Sequence, residues 1–144
     1  MSTVTGVYPV FNNVFKLGAD KTSAKTVADM ESFSIAIDGN VEEWTPMEQE
    51  GWKRRLKTGC GITISLKGKR NVGDTGNDFA AGLAYKTGQE SEAYFEWVMP
   101  DGTTIAMENA VVNVTAGGGD SINVEPLEFS VMSNGKPNIT TTGE

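Results

Sequence analysis

The sequence predicts a mainly-β domain of two packed antiparallel sheets, a sandwich or barrel, with one short flanking α-helix and extended terminal arms. Apolar residues alternate with polar ones in several short runs, which is the period of a strand with one buried face. Glycine is abundant, with 17 of 144 residues, and turn-forming pairs separate the runs. This length fits one domain that can bury a sizeable core.

Four alternating runs define the clearest strands. Each places its apolar side chains on one face, so these faces are expected to form the core. The apolar members are Phe33, Ile35 and Ile37; Ile62, Ile64 and Leu66; Phe95, Trp97 and Met99; and Leu127, Phe129 and Val131. A longer run rich in β-branched residues covers 103–116, and Pro126 predicts a bulge or an edge position in the last run.

Turn signals lie between these runs. Asp38-Gly39-Asn40, Asp101-Gly102 and Asn134-Gly135 predict tight hairpin turns, because such turns need the positive φ angles that Gly and Asn tolerate. The run Gly117-Gly118-Gly119-Asp120 follows a strand without opening a helix and lacks the P-loop lysine. It predicts a flexible hairpin loop.

One segment, Asp78 to Tyr85, has the features of a helix. Asn77 or Asp78 is placed to cap it, Phe79 and Leu83 lie one turn apart, and Gly88 marks its end. A helix this short is marginal alone and must dock on a sheet.

The termini differ from the middle of the chain. We predict an N-terminal arm at 1–25, the β domain at 26–132 and a polar C-terminal arm at 133–144. The N-terminal arm is rich in apolar and aromatic residues without a clear period. It either covers a neighbouring surface or packs on its own domain.

The formal net charge of −7 is unevenly distributed. Residues 28–50 contain seven acidic residues and no basic one, whereas residues 53–70 contain seven basic residues and no acidic one. The two blocks either pair as adjacent strands within one subunit or meet between subunits, where complementary patches set orientation. In a third interpretation, the basic block binds nucleic acid, with Trp44 and Trp52 as stacking platforms.

The composition argues against an enzyme. The chain has no histidine, which removes the commonest general base and metal ligand. Its single cysteine, Cys60, cannot form an intrachain disulfide and has no activating histidine. We therefore expect no catalytic residue, cofactor or metal. No run approaches the roughly 20 apolar residues of a membrane span and no signal peptide is evident, so folding in a cytoplasm and no membrane partner are expected.

Five stretches of the sequence carry a resemblance: TVTGVYPVFNNVFKLG, DGNVEEWTPMEQEGWKRRLKTG, GKRNVGDTGND followed by a short aromatic helix, YFEWVMPDG and NVEPLEFSVMSNGKP. They resemble tail tube proteins, also called major tail proteins, of siphophages that infect Gram-positive bacteria. The similarity extends over nearly the whole chain, and GKRNVGDTGND with the short helix after it is its most specific part.

The resemblance implies a structural virion protein of two packed sheets flanked by a helix. Six subunits would close a ring by continuous strand pairing, and rings would stack head to tail through a long loop and the terminal arms. The partners would be further copies of the chain, a tape measure protein and DNA in the lumen, and tail completion and distal tail proteins at the ends. The protein would occur in the virion tail, and in the host cytoplasm during assembly.

Two surfaces are expected to contact other subunits. The candidates are Glu42, Glu43, Glu48, Glu50, Lys53, Arg54, Arg55 and Lys57 in the charge blocks, and Tyr8, Phe11 and Phe15 in the arm. Six copies of net charge −7 give a ring a total charge of −42. Each contact between a basic residue and a phosphate adds affinity and would slow the passage of DNA through the lumen. We therefore expect acidic and small polar side chains on the lumen wall.

Two alternatives remain at this point. The inner tube of a contractile phage tail or related injection system would share the fold. A carbohydrate-binding β-sandwich would need an exposed aromatic platform, which Trp44, Trp52 and Trp97 are available to supply.

Overall fold

The computed structural model describes residues 5–116 and 118–141. These residues form a single antiparallel sheet and one α-helix, with short 3-10 turns at Val10–Asn12, Met47–Gln49 and Gly88–Ser91. The strands are β1 (Val14–Gly18), β2 (Lys25–Thr26), β3 (Met30–Trp44), β4 (Arg54–Lys69), β5 (Glu92–Val98), β6 (Thr103–Ala116), β7 (Pro126–Met132) and β8 (Asn138–Thr141), and the helix is α1 (Thr75–Gly82).

The sheet curls so that its two ends approach each other. Its hydrogen-bonded order is β2-β1-β5-β6-β7-β4-β3, with β8 also paired to β6. Phe15 on β1 and Phe33 on β3 nevertheless meet edge to face, with ring centroids 4.8 Å apart. The predicted mainly-β class with one helix is confirmed. The two expected layers are parts of one continuous sheet folded over its own core.

The core lies inside this curl and contains the apolar faces predicted from the alternation. Ile64, Phe95, Phe129 and Val131 are fully buried, and Leu83, at the end of α1, packs in the same cluster. The first predicted run behaves differently, because Phe33 is half-buried while Ile35 and Ile37 are exposed. From Ile35 onward, β3 leaves the body of the domain together with β4.

The turn predicted at Asp38-Gly39-Asn40 is wrong. These residues lie inside β3, where Gly39 pairs with Cys60 and a bulge follows Asn40. A side chain at position 39 would approach Cε of Lys57 at 2.9 Å, so the glycine gives room for this lysine to cross the strand. The chain reverses further on, where Glu50 and Gly51 adopt positive φ angles of 53° and 92°.

The other predicted turns all lie between strands. Asp101-Gly102 connects β5 to β6, which pair as a hairpin. Asn134-Gly135 lies between β7 and β8, but β8 pairs with β6 rather than folding back on β7. The glycine run connects the antiparallel neighbours β6 and β7, although Gly117 itself lies outside the described residues.

Helix α1 begins three residues earlier than predicted. The carboxylate of Asp74, rather than Asn77 or Asp78, caps it by accepting a hydrogen bond from the backbone N–H of Asn77 at 3.0 Å. The same carboxylate accepts from the N–H of Ala28 at 3.1 Å. The cap itself is local, and the bond to Ala28 additionally ties the start of the helix to the segment before β3.

Candidate assembly surfaces

The strand directions give the subunit two ends. The hairpin end contains the tip of the β3–β4 hairpin, the turn between β5 and β6, and residues 5–13. The helix end contains α1, the turn at 19–24 and residues 118–125, which precede β7.

The β3–β4 hairpin projects beyond the rest of the sheet. Pairing between β4 and β7 starts at Thr63, and Ser133, just after β7, still bonds to Ile62. Residues 54–61 of β4 and the facing part of β3 therefore pair only with each other. At about 3.3 Å per residue, this extension is roughly 30 Å long. Most of its side chains are exposed on both faces, because no other described segment of the chain covers it.

The projecting hairpin carries a row of exposed apolar side chains on its core face. Ile35, Ile37 and Val41 continue the core face of β3 and are 38%, 61% and 50% exposed; we call them the apolar stripe. Toward the tip, the same face carries the pair of Glu43 and Arg55, and the opposite face carries Ala36 and Asp38 together with Leu56, which lies opposite Glu42 and is 59% exposed. The stripe therefore extends the core into solvent.

Part of the charge pairing occurs within one subunit. Glu43 accepts a hydrogen bond from Nε of Arg55 at 3.0 Å and lies 3.5 Å from Nζ of Lys53, while Glu31 pairs with Lys69 at 3.2 Å. The hydrogen bond from Arg55, followed by its positive charge, holds the pKa of the Glu43 carboxyl below its usual value of 4.5. The favourable pairing is therefore present at neutral pH and is lost as the pH falls through this lowered pKa.

The remaining charged candidates on the hairpin form no ion pair with another described residue. Glu42 accepts only from the side-chain amide of Asn40, at 3.2 Å. The guanidinium of Arg54 lies over the ring of Trp44, 5.7 Å from its centroid. The other candidates without an ion pair are Glu48, Glu50 and Lys57.

The aromatic candidates of the arm separate into two groups. Tyr8 and Phe11 are exposed, the latter by 84%. Phe15 lies in β1 and is buried in the core of its own subunit, which makes it unavailable for a contact between subunits. The predicted arm at 1–25 therefore includes one core strand, and residues 1–4 lie outside the described part.

The polar side chains around the start of α1 have structural roles. Asp74 caps α1, Asn77 is fully buried with every polar atom bonded, and Asp78 pairs with Arg70 at 2.7 Å. No cluster of metal-ligating side chains occurs among the described residues. Within the same residues, no helix has the length and apolar character to cross a membrane. Cys60 is exposed on the hairpin.

The three tryptophans do not form a common platform. Trp97 is buried, and its indole N–H donates to Oδ1 of Asn13 at 2.9 Å. Trp44 and Trp52 lie at the tip of the hairpin, where Trp52 is 77% exposed. The geometry therefore does not provide the three-ring surface that a carbohydrate-binding module would use.

A curled antiparallel sheet of this kind is shared with chains of phage-like tail assemblies. One is a chain in the tail of an empty gene transfer agent (GTA) particle, refined as a helix with C6 symmetry, with a TM-score of 0.73, 19% identity and coverage of 94% of this chain and 100% of that chain. A chain of the native GTA virion has a TM-score of 0.72 and 18% identity, with the same coverage of both chains.

A chain of the anti-feeding prophage (AFP) baseplate, symmetrised six-fold, gives a TM-score of 0.56 at 12% identity, with 98% of both chains covered. No protein-family model and no curated protein sequence matches the chain. At these identities, the likeness shows a common fold over almost the whole length of the chain.

Proposed function

We propose that the protein is a non-enzymatic structural subunit of a phage tail, and that its copies form hexameric rings stacked into the tail tube. The observation that carries this proposal is the projecting hairpin, whose apolar stripe continues the core but is left uncovered by its own subunit. The full-length fold likeness to a chain in a GTA tail with C6 symmetry supports it. The sequence resemblance narrows the proposal to a siphophage of a Gram-positive host.

The apolar stripe needs a partner because exposed apolar patches of this kind mark interaction sites. Fully burying one Ile or Val side chain contributes about 1.5–3 kcal/mol. Ile37 and Val41 lie on the same face, with Lys57 opposite Val41, so a neighbouring subunit can cover the stripe while the lysine head group stays in solvent. In a ring, each subunit offers one stripe and covers another.

The open edge of β3 supports closure of the ring. β3 is 15 residues long, and in the described part of the chain it pairs only with β4. A long unpaired edge invites pairing with another chain. Pairing around a ring of six copies removes all such edges, as closure does in a barrel.

The sheet face opposite the core is our candidate for the lumen wall. A row of small polar residues crosses four adjacent strands on this face: Ser34, Ser65, Ser130 and Asn113. The next row places Lys67 directly opposite Glu128, so one member of the basic block has an acidic neighbour on this face. Such a wall offers duplex DNA no cluster of unbalanced cations, so the duplex stays mobile.

Electron microscopy of the purified protein and of native virions tests the proposal. Rings with six-fold symmetry, or tubes built from them, are expected. Monomers alone at high concentration, together with virion tails that lack this chain, would refute it.

The likeness to a chain of the AFP baseplate keeps a second candidate, the inner tube of a contractile tail or related injection system. A sheath gene beside the gene for this protein would favour that candidate. A large reading frame of the size of a tape measure protein, without a sheath gene, would favour the siphophage tail.

A further inference from the structure

Three residues with a carbonyl carbon in a short side chain are followed directly by glycine: Asp38, Asp101 and Asn134. At such a pair the backbone nitrogen of the glycine can attack the side-chain carbonyl carbon of the residue before it, because glycine has no side chain to hinder the approach. The attack closes a cyclic succinimide. It needs a free backbone nitrogen and free rotation of the attacked residue, so the local structure decides which pair reacts.

The two pairs that contain aspartate are held by hydrogen bonds. Gly39 lies inside β3, within the ladder that pairs β3 with β4. The backbone N–H of Gly102 donates to the carbonyl of Met99 at 3.1 Å. Oδ1 of Asp101 accepts a hydrogen bond from the backbone N–H of Thr103 at 2.9 Å. The paired strand and the hydrogen-bonded turn therefore keep both aspartates from closing the ring.

The pair Asn134-Gly135 is exposed in the segment 133–137 between β7 and β8. No hydrogen bond joins the N–H of Gly135 to another residue in the described part of the chain. Its φ angle is 92°, and open space lies where a side chain would stand. The amide nitrogen of Asn134 lies 3.5 Å from Oε2 of Glu92, which is longer than the usual N–H···O distance of about 2.7–3.2 Å. Both reacting groups are therefore accessible and weakly held.

We propose that Asn134 is a modification site at which the chain deamidates through a succinimide, with water as the co-reactant. A bond forms between the backbone nitrogen of Gly135 and Cγ of Asn134, the Cγ–Nδ2 bond breaks, and the proton of the glycine nitrogen leaves with the NH2 group as ammonia. Water then opens the ring. Attack at Cγ gives aspartate, and attack at the main-chain carbonyl carbon gives isoaspartate. This inference does not depend on the proposed tail tube function.

Both products change the charge beside Glu92. A carboxylic acid of this type is ionised at neutral pH, so the formal net charge of −7 becomes more negative by one unit. The group that donates to Glu92 becomes a second carboxylate, and the contact becomes a repulsion between like charges. Because position 134 is exposed, water screens this repulsion and its effect on stability is modest.

Isoaspartate has a larger effect, because it adds one carbon atom to the main chain between two fixed points. On one side, the N–H of Ser133 donates to the carbonyl of Ile62 at 2.9 Å, and its hydroxyl accepts from the N–H of Ile62 at 3.0 Å. On the other side, β8 pairs residue for residue with the first part of β6. A longer connection therefore shifts β8 along β6.

β8 is the strand that this change can release. It is four residues long and exposed throughout, so little buried surface opposes its local opening. It covers the edge of β6 at 103–106, whose other edge pairs with β5 at 104–106. We therefore expect deamidation to detach β8 and to leave this edge of β6 unpaired.

Mass spectrometry of the purified chain after incubation at mildly alkaline pH tests the modification. Cleavage after Glu128 releases the peptide 129–144, which contains both Asn134 and Asn138. Asn138 is also exposed but precedes Ile139, whose β-branched side chain hinders the attack, so it serves as an internal control. Asn134 should convert to a mixture of aspartate and isoaspartate while Asn138 keeps its amide. Asn134→Gln should stay unmodified, because its longer side chain closes a less favourable ring.

Amide hydrogen exchange on the same samples tests the release of β8. The deamidated chain should lose protection at 138–141 and at 103–106, whereas 111–114 of β6, which pair with β7, should keep theirs. Asn134→Gln after the same incubation should keep protection in all three segments. Asn134→Asp carries the new charge without the added backbone atom, so it should lose less protection than the isoaspartate form.

Equal conversion of Asn134 and Asn138 would overturn the inference. So would an intact Asn134 in the folded chain under conditions that convert it in the urea-unfolded chain, because the fold would then protect the site. Complete conversion with unchanged protection at 138–141 would show that β8 stays bound to β6 and would overturn the release of the strand.

Discussion

The side-chain oxygen of the fully buried Asn77 accepts a hydrogen bond from Nη1 of Arg70 at 2.9 Å and another from the backbone N–H of Asn71. Its amide nitrogen donates to the carbonyl oxygens of Ala28 and Lys69 at 3.0 and 2.9 Å. One side chain thus ties α1 to the end of β4 and to the segment before β3. This explains the string GKRNVGDTGND as a structural junction.

The first prediction concerns this junction. Asn77→Ala should lower the free energy of unfolding by about 3 kcal/mol, because it leaves several buried backbone groups without partners at about 1–3 kcal/mol each. Asn123→Ala, at an exposed position, should change it by less than about 0.5 kcal/mol. Urea unfolding measures both. Equal midpoints for the two variants would show that the junction is dispensable.

The second prediction separates stability from assembly at the apolar stripe. Ile37→Asp should change subunit stability by less than about 1 kcal/mol, since this strand position is largely solvent-exposed. It should nevertheless abolish rings, because a charge would be buried in the proposed contact. Ala36→Asp makes the same change on the opposite face and should assemble normally. Sedimentation and microscopy decide, and normal rings from Ile37→Asp would remove the stripe from the interface.

The sequence predicts those elements of this architecture whose cause is local. The strands containing Ile64, Phe95 and Phe129 follow from a two-residue period that needs no other part of the chain. The extent of β3 does not, because the local turn preference of Asp38-Gly39-Asn40 is overridden by pairing with the glycine-rich stretch around Cys60. Alternation also places Ile35 and Ile37 in the core although they are exposed, since it shows which face is apolar but not where the covering layer ends.

The third prediction concerns the charge blocks. Arg55→Glu breaks a pair within the subunit, and Glu43 also contacts Lys53. The triple variant Glu43→Arg with Lys53→Glu and Arg55→Glu should therefore restore both pairs and assemble like the wild type. Arg54 has no such partner, and Arg54→Glu should slow polymerisation without loss of folding. Light scattering at increasing salt concentrations measures the polymerisation of both variants. Salt limits the range of interactions between exposed charges to about 8 Å at physiological ionic strength, so an electrostatic contact should weaken as salt rises. Failure of the charge swap to assemble would assign Arg55 to a contact between subunits.

The fourth prediction is a pH dependence at Tyr94. Burial, together with the hydrogen bond that its hydroxyl donates to Glu96 at 2.8 Å, raises the pKa of Tyr94 to about 12. The folded state therefore holds this proton more tightly than the unfolded state, whose pKa is about 10. The stabilisation is complete below about pH 10 and is lost as the pH rises to about 12. Tyr94→Phe should remove this loss, and an unchanged alkaline midpoint would contradict the assignment.

The last prediction tests the lumen wall. Ser34 lies in the row of small polar residues on the face opposite the core and is exposed in the subunit. In a ring of six copies, Ser34→Arg would add six cations to that wall. Each cation that meets a phosphate strengthens binding and makes it dependent on salt. Phage carrying Ser34→Arg should therefore assemble normal tails but eject DNA more slowly, and high salt should restore the rate.

The matched control is Ser34→Gln, which adds bulk without charge. Phage carrying it should eject DNA at the normal rate, which separates electrostatic drag from narrowing of the lumen. An unchanged ejection rate for Ser34→Arg would refute the non-adhesive wall. So would an assembled tube whose lumen is lined by basic side chains without neutralising partners, namely Lys53, Arg54, Lys67 or Lys69. Either result would leave the proposed tube function standing.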